Sequence, residues 1–192
     1  MLNIFYPPTC GICNKLCKEY ICDECYQKLE QYKINKFYIK DNIEFFNIYK
    51  YEGTIRKKLL EYKFYDKSYL YNTFSKIILK NEKVCGFLKK YDIIISVPVD
   101  KKRKTKRGYN QVELIARKLG ITYESKTLIK QKNIVSQSEL NRIQRKQNIK
   151  GAFKLVNEEK IKNKKILLLD DIYTTGSTVK ECCKTLKNAR TK

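Results

Sequence analysis

The chain has 192 residues, 42% of them hydrophobic, which suits one domain of ordinary size with a small appendage. No apolar stretch approaches the roughly 20 residues that cross a bilayer, and the first residues lack the basic start and apolar core of a secretory signal. We therefore expect no membrane span and a cytoplasmic location. The net charge of +22 favours polyanionic partners, although a compositional bias toward lysine explains the same charge without one.

Two CxxC pairs open the chain. Cys10 and Cys13 form the first pair, and Cys22 and Cys25 form the second, a spacing that lets four thiolates surround one zinc ion tetrahedrally. So short a segment cannot bury enough apolar surface to fold alone, and metal binding would supply its folding free energy. We predict a structural zinc module over residues 1–35, with disulfides or free thiols as the alternatives. Cys17 either replaces one of these ligands or stays outside the site.

The main domain is expected over residues 36–192. Residues 43–51 are typical of a strand or a strand pair, and apolar residues at helical spacing predict helices over 53–64 and 69–79. The many tyrosines of this region are interpreted mainly as core residues, with base stacking as the alternative.

A buried strand is predicted at residues 92–99, and a basic loop follows it directly. A helix with apolar spacing comes next, over residues 112–119, and Gly120 suits its C-terminal cap. Because loops at the carboxyl ends of parallel strands line the ligand crevice, this loop is a candidate for binding pyrophosphate or a nucleic-acid backbone. A solvated loop without a ligand is the third interpretation. The candidate side chains are Lys101, Lys102, Arg103, Lys104 and Arg107.

A second buried strand is predicted at residues 165–169, where it ends in Asp170 and Asp171. A turn with four hydroxyls and a glycine follows, and a helix begins near Ser177. Helix N-termini bind phosphate through free N–H groups, Gly176 permits close approach, and the hydroxyls add donors. The two acids would repel that phosphate, so they are expected to accept sugar hydroxyls or to bind magnesium indirectly. The phosphate candidates are Thr174, Thr175, Gly176, Ser177 and Thr178.

This segment resembles the phosphoribosyl pyrophosphate signature of type I phosphoribosyltransferases. The resemblance implies that Asp170 and Asp171 hold the ribose hydroxyls and that the turn holds the 5'-phosphate. An ordinary strand, turn and helix with one capping threonine is the alternative. The implied fold is α/β, with a parallel sheet and flanking helices. A further strand is expected after the last helix, and the sequence to residue 192 does not supply one.

The stretch VPVDKKRKTKRGYNQVELIARKLG, residues 97–120, is similar to the ComF family. The later stretch SQSELNRIQRKQNIKGAF matches the same family, and ComF proteins carry a similar four-cysteine module. Lys130, Lys132 and Ile134 stand where the family usually has Arg and Thr, so the bidentate phosphate contact of an arginine is lost there.

The ComF resemblance implies a protein that binds phosphoribosyl pyrophosphate with magnesium and acts in single-stranded DNA uptake during natural transformation, beside a helicase-like partner. The alternative is an active phosphoribosyltransferase of nucleotide metabolism, for which the sequence indicates no nucleobase pocket and no acceptor. The absence of histidine does not exclude that chemistry, because charge stabilisation can lower much of its barrier.

Overall fold

The computed structural model describes residues 8–100, 104–105, 108–131 and 149–188. It divides the chain into two compact units, Met1–Lys89 and Lys90–Lys192. No helix in these described ranges has the length and apolar character needed to cross a bilayer.

The described part of the first unit combines a β-hairpin with four α-helices. Its elements are α1 (Asp23–Leu29), β1 (Lys33–Lys40), β2 (Ile43–Tyr49), α2 (Gly53–Phe64), α3 (Leu70–Leu79) and α4 (Glu82–Leu88). The expected strand at residues 43–51 and the helices expected at 53–64 and 69–79 therefore correspond to β2, α2 and α3. The predicted boundary after residue 35 falls inside β1, and the two units meet at residues 89 and 90.

The turn and the aromatic pairs across the two strands stabilise the hairpin and fix its register. Asp41 and Asn42, the two turn residues, both have a φ of 54°, as a tight hairpin turn of the I′ type requires. Tyr38 lies opposite Phe45, and their rings stack with centroids 5.0 Å apart. On α4, Phe87 packs its ring against the hairpin. These contacts pack the hairpin against α4, and Phe45 is its buried residue.

The second unit contains a parallel sheet. Its elements are β3 (Ile93–Ser96), α5 (Gln111–Ala116), β4 (Thr122–Tyr123), β5 (Leu128–Lys130), β6 (Phe153–Leu155), β7 (Ile166–Leu169) and α6 (Ser177–Lys187). The parallel strands have the order β4, β3, β7, and Ile93 of β3 lies opposite Ile166 of β7. Strands β5 and β6 form a separate antiparallel pair. The predicted α/β class with a parallel sheet is confirmed.

Strand β3 is buried along its whole length. Because side chains alternate across a strand, Ile93 and Ile95 share one face, where they belong to the same core cluster as Cys182 and Leu186 of α6. The opposite face of β3 carries Ile94, which is fully buried. The apolar run therefore has the burial that its composition predicts.

The prediction that β7 is buried on both faces is wrong. All four of its residues are half-buried. The physical reason is the strand order, since β7 lies at one end of the described sheet and pairs with β3 alone. Among the described residues no strand covers its other edge.

Candidate functional site

The two acids of the predicted ribose-phosphate site follow β7 directly. The N–H of Asp171 donates a hydrogen bond of 2.9 Å to Oδ1 of Asp170, so the first carboxylate folds back on the chain. The N–H of Val97, just after β3, donates to the carbonyl of Leu169 at 2.9 Å. Both carboxylates are half-buried at the carboxyl end of the sheet. Ligands of open α/β sheets bind at this end of the strands.

The turn that follows is closed by a glycine in the left-handed region. Gly176 has a φ of 73°, and a Cβ built on it would overlap the ring of Tyr173. The side chain of Thr175 lies 3.0 Å from the hydroxyl of Ser177 and accepts the N–H of that residue at 3.4 Å. The N–H of Lys180 makes the first bond of α6, to the carbonyl of Gly176 at 2.8 Å. The preceding N–H groups therefore lie at the helix end, the arrangement that binds phosphate.

The predicted turn residues differ in exposure. Thr174 and Thr175 are exposed, Ser177 and Thr178 are half-buried, and Gly176 is buried. The structure thus brings these five residues and the two acids together in one strand, turn and helix. Their role in binding stays a prediction.

A buried glutamine contacts the second acid. Gln111, the first residue of α5, is 4% exposed, and its Nε2 donates a hydrogen bond of 2.9 Å to Oδ2 of Asp171. Sequence analysis included Gln111 only within the ComF-like stretch of residues 97–120 and assigned it no role in the site. The two residues are 60 positions apart, so only the fold brings them together.

Gln111 is held by a buried capping residue. The side-chain oxygen of Asn110 accepts the N–H of Val112 at 3.0 Å, which caps α5. The amide nitrogen of Asn110 lies 3.4 Å from the hydroxyl of Ser96, and that hydroxyl lies 2.8 Å from Oη of Tyr123. Burial raises the pKa of Tyr123 and outweighs the hydrogen bond to Ser96, so the phenol stays neutral. These bonds fix the start of α5 against the ends of β3 and β4.

The basic loop is described only in part. Of its candidate side chains, Lys101, Lys102, Arg103 and Arg107 lie outside the described residues. Lys104 is exposed, and its Nζ lies 3.8 Å from a carboxylate oxygen of Glu113. Pyrophosphate or DNA binding by this loop therefore stays a prediction.

Lys130 has an ion-pair partner that no sequence pattern indicates. Its Nζ lies 2.8 Å from Oδ1 of Asp100, and the two side chains are 11% and 18% exposed. Asp100 and Lys130 share no motif, and their ion pair joins the end of β5 to the segment after β3. Lys132 and Ile134 lie outside the described residues.

The four predicted zinc ligands lie together in the first unit. The sulfur atoms of Cys10, Cys13, Cys22 and Cys25 are all within 4.8 Å of one another. The sulfurs of Cys13 and Cys22 are 3.9 Å apart. Tetrahedral zinc with Zn–S bonds of about 2.3 Å needs sulfurs about 3.8 Å apart, so this donor set fits the ion. Cys17 is not a member of the cluster.

The thiols of the cluster differ in their titration. Burial raises the pKa of Cys10, but the N–H groups of Cys13, Cys22 and Ile12 outweigh it and bring that pKa to about 7. For Cys25, burial and the neighbouring thiols raise the pKa. A bound cation would favour the thiolate form of each, because metal ligation requires deprotonated sulfur.

The cluster is attached to α3. The N–H of Gly11 donates to the carbonyl of Tyr20 at 3.0 Å, and the hydroxyl of Thr73 donates to the same carbonyl at 2.9 Å. A Cβ on Gly11 would overlap Thr73 and Leu70, so the first CxxC loop packs directly on this helix. The cysteine segment is therefore part of the first unit's core.

The chain is similar to one known domain family and to individual known proteins. Residues 105–192 match the phosphoribosyl transferase domain family. The chain is 36% identical to DNA utilization protein YhgH of Salmonella typhi over 99 residues, which are 50% of this chain and 43% of that protein. It is 31% identical to Competence protein F of Haemophilus influenzae over 134 residues, 66% of this chain and 58% of that protein.

A third relative matches over more of the chain. Competence protein ComFC of Streptococcus pneumoniae is 30% identical over 145 residues, 76% of this chain and 62% of that protein. In each of these matches the chain covers less than two thirds of the relative's length. The match to the transferase domain includes both acids, the glycine turn and α6.

Proposed function

Since the chain belongs to the ComF family, we propose that residues 170–178 bind phosphoribosyl pyrophosphate together with magnesium, and that the protein acts in the uptake of single-stranded DNA. The observation that carries the first part is the pairing of Asp170 and Asp171 with a glycine turn that opens onto the N-terminus of α6. A sugar phosphate needs hydrogen-bond acceptors for its hydroxyls next to N–H donors for its phosphate, and the acids and the turn would supply these two kinds of group.

The acids suit the sugar. Carboxylates are acceptors only, and each can take about four hydrogen bonds, so Asp171 can accept a sugar hydroxyl while it accepts the amide of Gln111. The turn suits the phosphate, because the helix end presents N–H groups and the positive end of a dipole. The side chains of Thr174 and Thr175 are exposed, so their hydroxyls can turn toward a phosphate as further donors.

Magnesium fits the same donor set. It prefers oxygen ligands, keeps several waters and is usually held by one or two carboxylates together with the phosphates of a substrate. Asp170 and Asp171 would supply those carboxylates. When bound, the ion would neutralise charge on the pyrophosphate, and the basic loop would add to that effect.

The DNA role is supported by the relatives and by charge. The matched proteins carry the names DNA utilization protein, Competence protein F and Competence protein ComFC. A net charge of +22 attracts the phosphates of a nucleic acid, and the loop at residues 101–107 concentrates six positive charges. A helicase-like competence protein and a cytoplasmic location complete this proposal.

The four-cysteine cluster is proposed to bind one structural zinc ion. With four thiolates the coordination shell is closed, so the ion has no open position for a substrate.

Turnover is the second candidate function. In that reaction a nucleophile bonds to the anomeric carbon, the bond from that carbon to the pyrophosphate oxygen breaks, and pyrophosphate leaves with the electron pair. The match to the phosphoribosyl transferase domain favours this chemistry. Release of pyrophosphate in the presence of a supplied acceptor would distinguish it from binding alone.

Calorimetric titration of the zinc-loaded protein with phosphoribosyl pyrophosphate and magnesium tests the site. We expect saturable binding that Asp171→Asn weakens, because the variant keeps the side-chain shape and loses the negative charge. Asp66→Asn is the matched control, since Asp66 is exposed in the first unit. Unchanged affinity in Asp171→Asn would refute the assignment of the acids.

A further inference from the structure

The side-chain amide of Gln111 points at the ribose-phosphate site. Gln111 lies on α5, outside the strand β7, the turn and the helix α6 that form this site. It is 4% exposed, and its bond of 2.9 Å ends on a carboxylate that follows β7. A buried donor that meets a charged acceptor makes one of the stronger hydrogen bonds in a protein. The bond therefore restricts rotation of the Asp171 carboxylate.

The backbone under Gln111 is fixed as well. Asn110 is 7% exposed, caps α5 and donates toward Ser96 Oγ and the carbonyl of Val97, at 3.4 Å and 3.5 Å. The N–H of Val97 in turn donates to the carbonyl of Leu169, the last residue before the two acids. Two routes thus connect the start of α5 to the end of β7, one through the side chain of Asn110 and the backbone of Val97, and one through the amide of Gln111.

We propose that Gln111 is a positioning residue of the ribose-phosphate site, whose amide holds the Asp171 carboxylate in the orientation that accepts the sugar hydroxyls. This inference rests on the proposed binding of phosphoribosyl pyrophosphate. Preorientation matters because a freely rotating carboxylate would lose conformational freedom each time a ligand binds. Gln111 acts through Asp171 and needs no contact with the ligand.

Substitutions at Gln111 separate hydrogen bonding from packing. Gln111→Met keeps the length of the side chain and removes the donor, so we expect its Kd for phosphoribosyl pyrophosphate with magnesium to rise about tenfold in calorimetry. Gln31→Met is the matched control, because Gln31 is exposed and its amide donates to the carbonyl of Lys28 in the first unit. We expect the control to bind as the wild type does.

Gln111→Glu supplies a readout that a packing role would not change. Near pH 8 a second carboxylate beside Asp171 repels it, and affinity falls below that of Gln111→Met. As pH falls toward about 5.5, the two carboxyl groups share a proton, and the protonated one donates the missing hydrogen bond. We therefore expect the ratio of its Kd to that of the wild type to shrink as pH falls, while the same ratio for Gln111→Met stays constant.

Each outcome distinguishes the two proposals. If the folded wild type does not bind phosphoribosyl pyrophosphate, the proposed function fails and the positioning role fails with it. If the wild type binds and Gln111→Met matches it, only the positioning role is overturned. A Gln111→Glu ratio that is independent of pH would also overturn it. Should Gln111→Met fail to fold, as judged by circular dichroism, the pH profile of Gln111→Glu decides whether the positioning role stands.

Discussion

Replacing Gly176 with alanine should destabilise the second unit by two separable effects. The first is conformational, because a φ of 73° costs an L-residue about 1–2 kcal/mol. The second is steric, because the new Cβ would overlap the ring of Tyr173, and overpacking of this kind costs about 1–3 kcal/mol. We therefore expect Gly176→Ala to lower the free energy of unfolding by about 2–5 kcal/mol.

Gly120 separates the two effects. Its φ is 74°, it lies in the same unit, and beyond Gly120 and its two chain neighbours no heavy atom of the described residues lies within 4 Å of the position its Cβ would take. Gly120→Ala should therefore cost only the conformational part, about 1–2 kcal/mol. Urea denaturation followed by circular dichroism, at fixed zinc concentration, measures both variants against the wild type. If Gly176→Ala is no less stable than Gly120→Ala, the close packing of Tyr173 on this turn is refuted.

Three further predictions concern metal, salt and pH. Metal analysis should find one zinc ion per chain, and a strong chelator should unfold the first unit; purified protein without zinc that folds normally in chelator would exclude the metal site. Neutralising Lys101, Lys102, Arg103 and Lys104 should flatten the salt dependence of single-stranded DNA binding, and an unchanged slope would place the DNA elsewhere. Burial alone would raise the pKa of Glu61, but hydrogen bonds of 3.0 Å from Lys67 and Lys58 together lower it below its ordinary value. Because that pKa is lowered, Glu61 stabilises the fold above about pH 4.3 and loses this effect as pH falls further. Glu61→Gln should thus destabilise by about 1–2 kcal/mol at pH 7, with the difference shrinking as pH falls below about 4.3 in paired urea titrations.

The strand, turn and helix of the candidate site could be predicted from the sequence, because the patterns that indicate them are local. The apolar run before Asp170, the glycine and the helical spacing after Ser177 each depend on neighbours within a few residues, and β7 and α6 form where they predict. The cysteine spacing is local in the same sense, and the four sulfurs meet as expected. In both the strand–turn–helix segment and the cysteine pairs, neighbouring residues determine the local backbone conformation.

Contacts between distant segments could not be read in this way. Gln111 meets Asp171 across 60 positions, and Asp100 meets Lys130 through the arrangement of β3 and β5. Neither pair has a spacing or periodicity that marks it, because tertiary folding alone sets the distance. The half-burial of β7 is similar, since composition predicts an apolar strand and strand order decides how much of it is covered.

The chemistry of the two acids argues that the proposed sugar binding and the proposed DNA binding depend on different side chains. Asp170 and Asp171 suit a ribose diol, whereas a DNA strand lacks the 2'-hydroxyl and brings a phosphodiester that carboxylates repel. The lysine-rich loop has the opposite preference, because its charges attract any phosphate backbone and need no hydroxyl. Substitution of Gln111 or Asp171 should therefore change phosphoribosyl pyrophosphate affinity and leave the salt slope for DNA unaltered. A shared change in both would show that one surface binds both ligands.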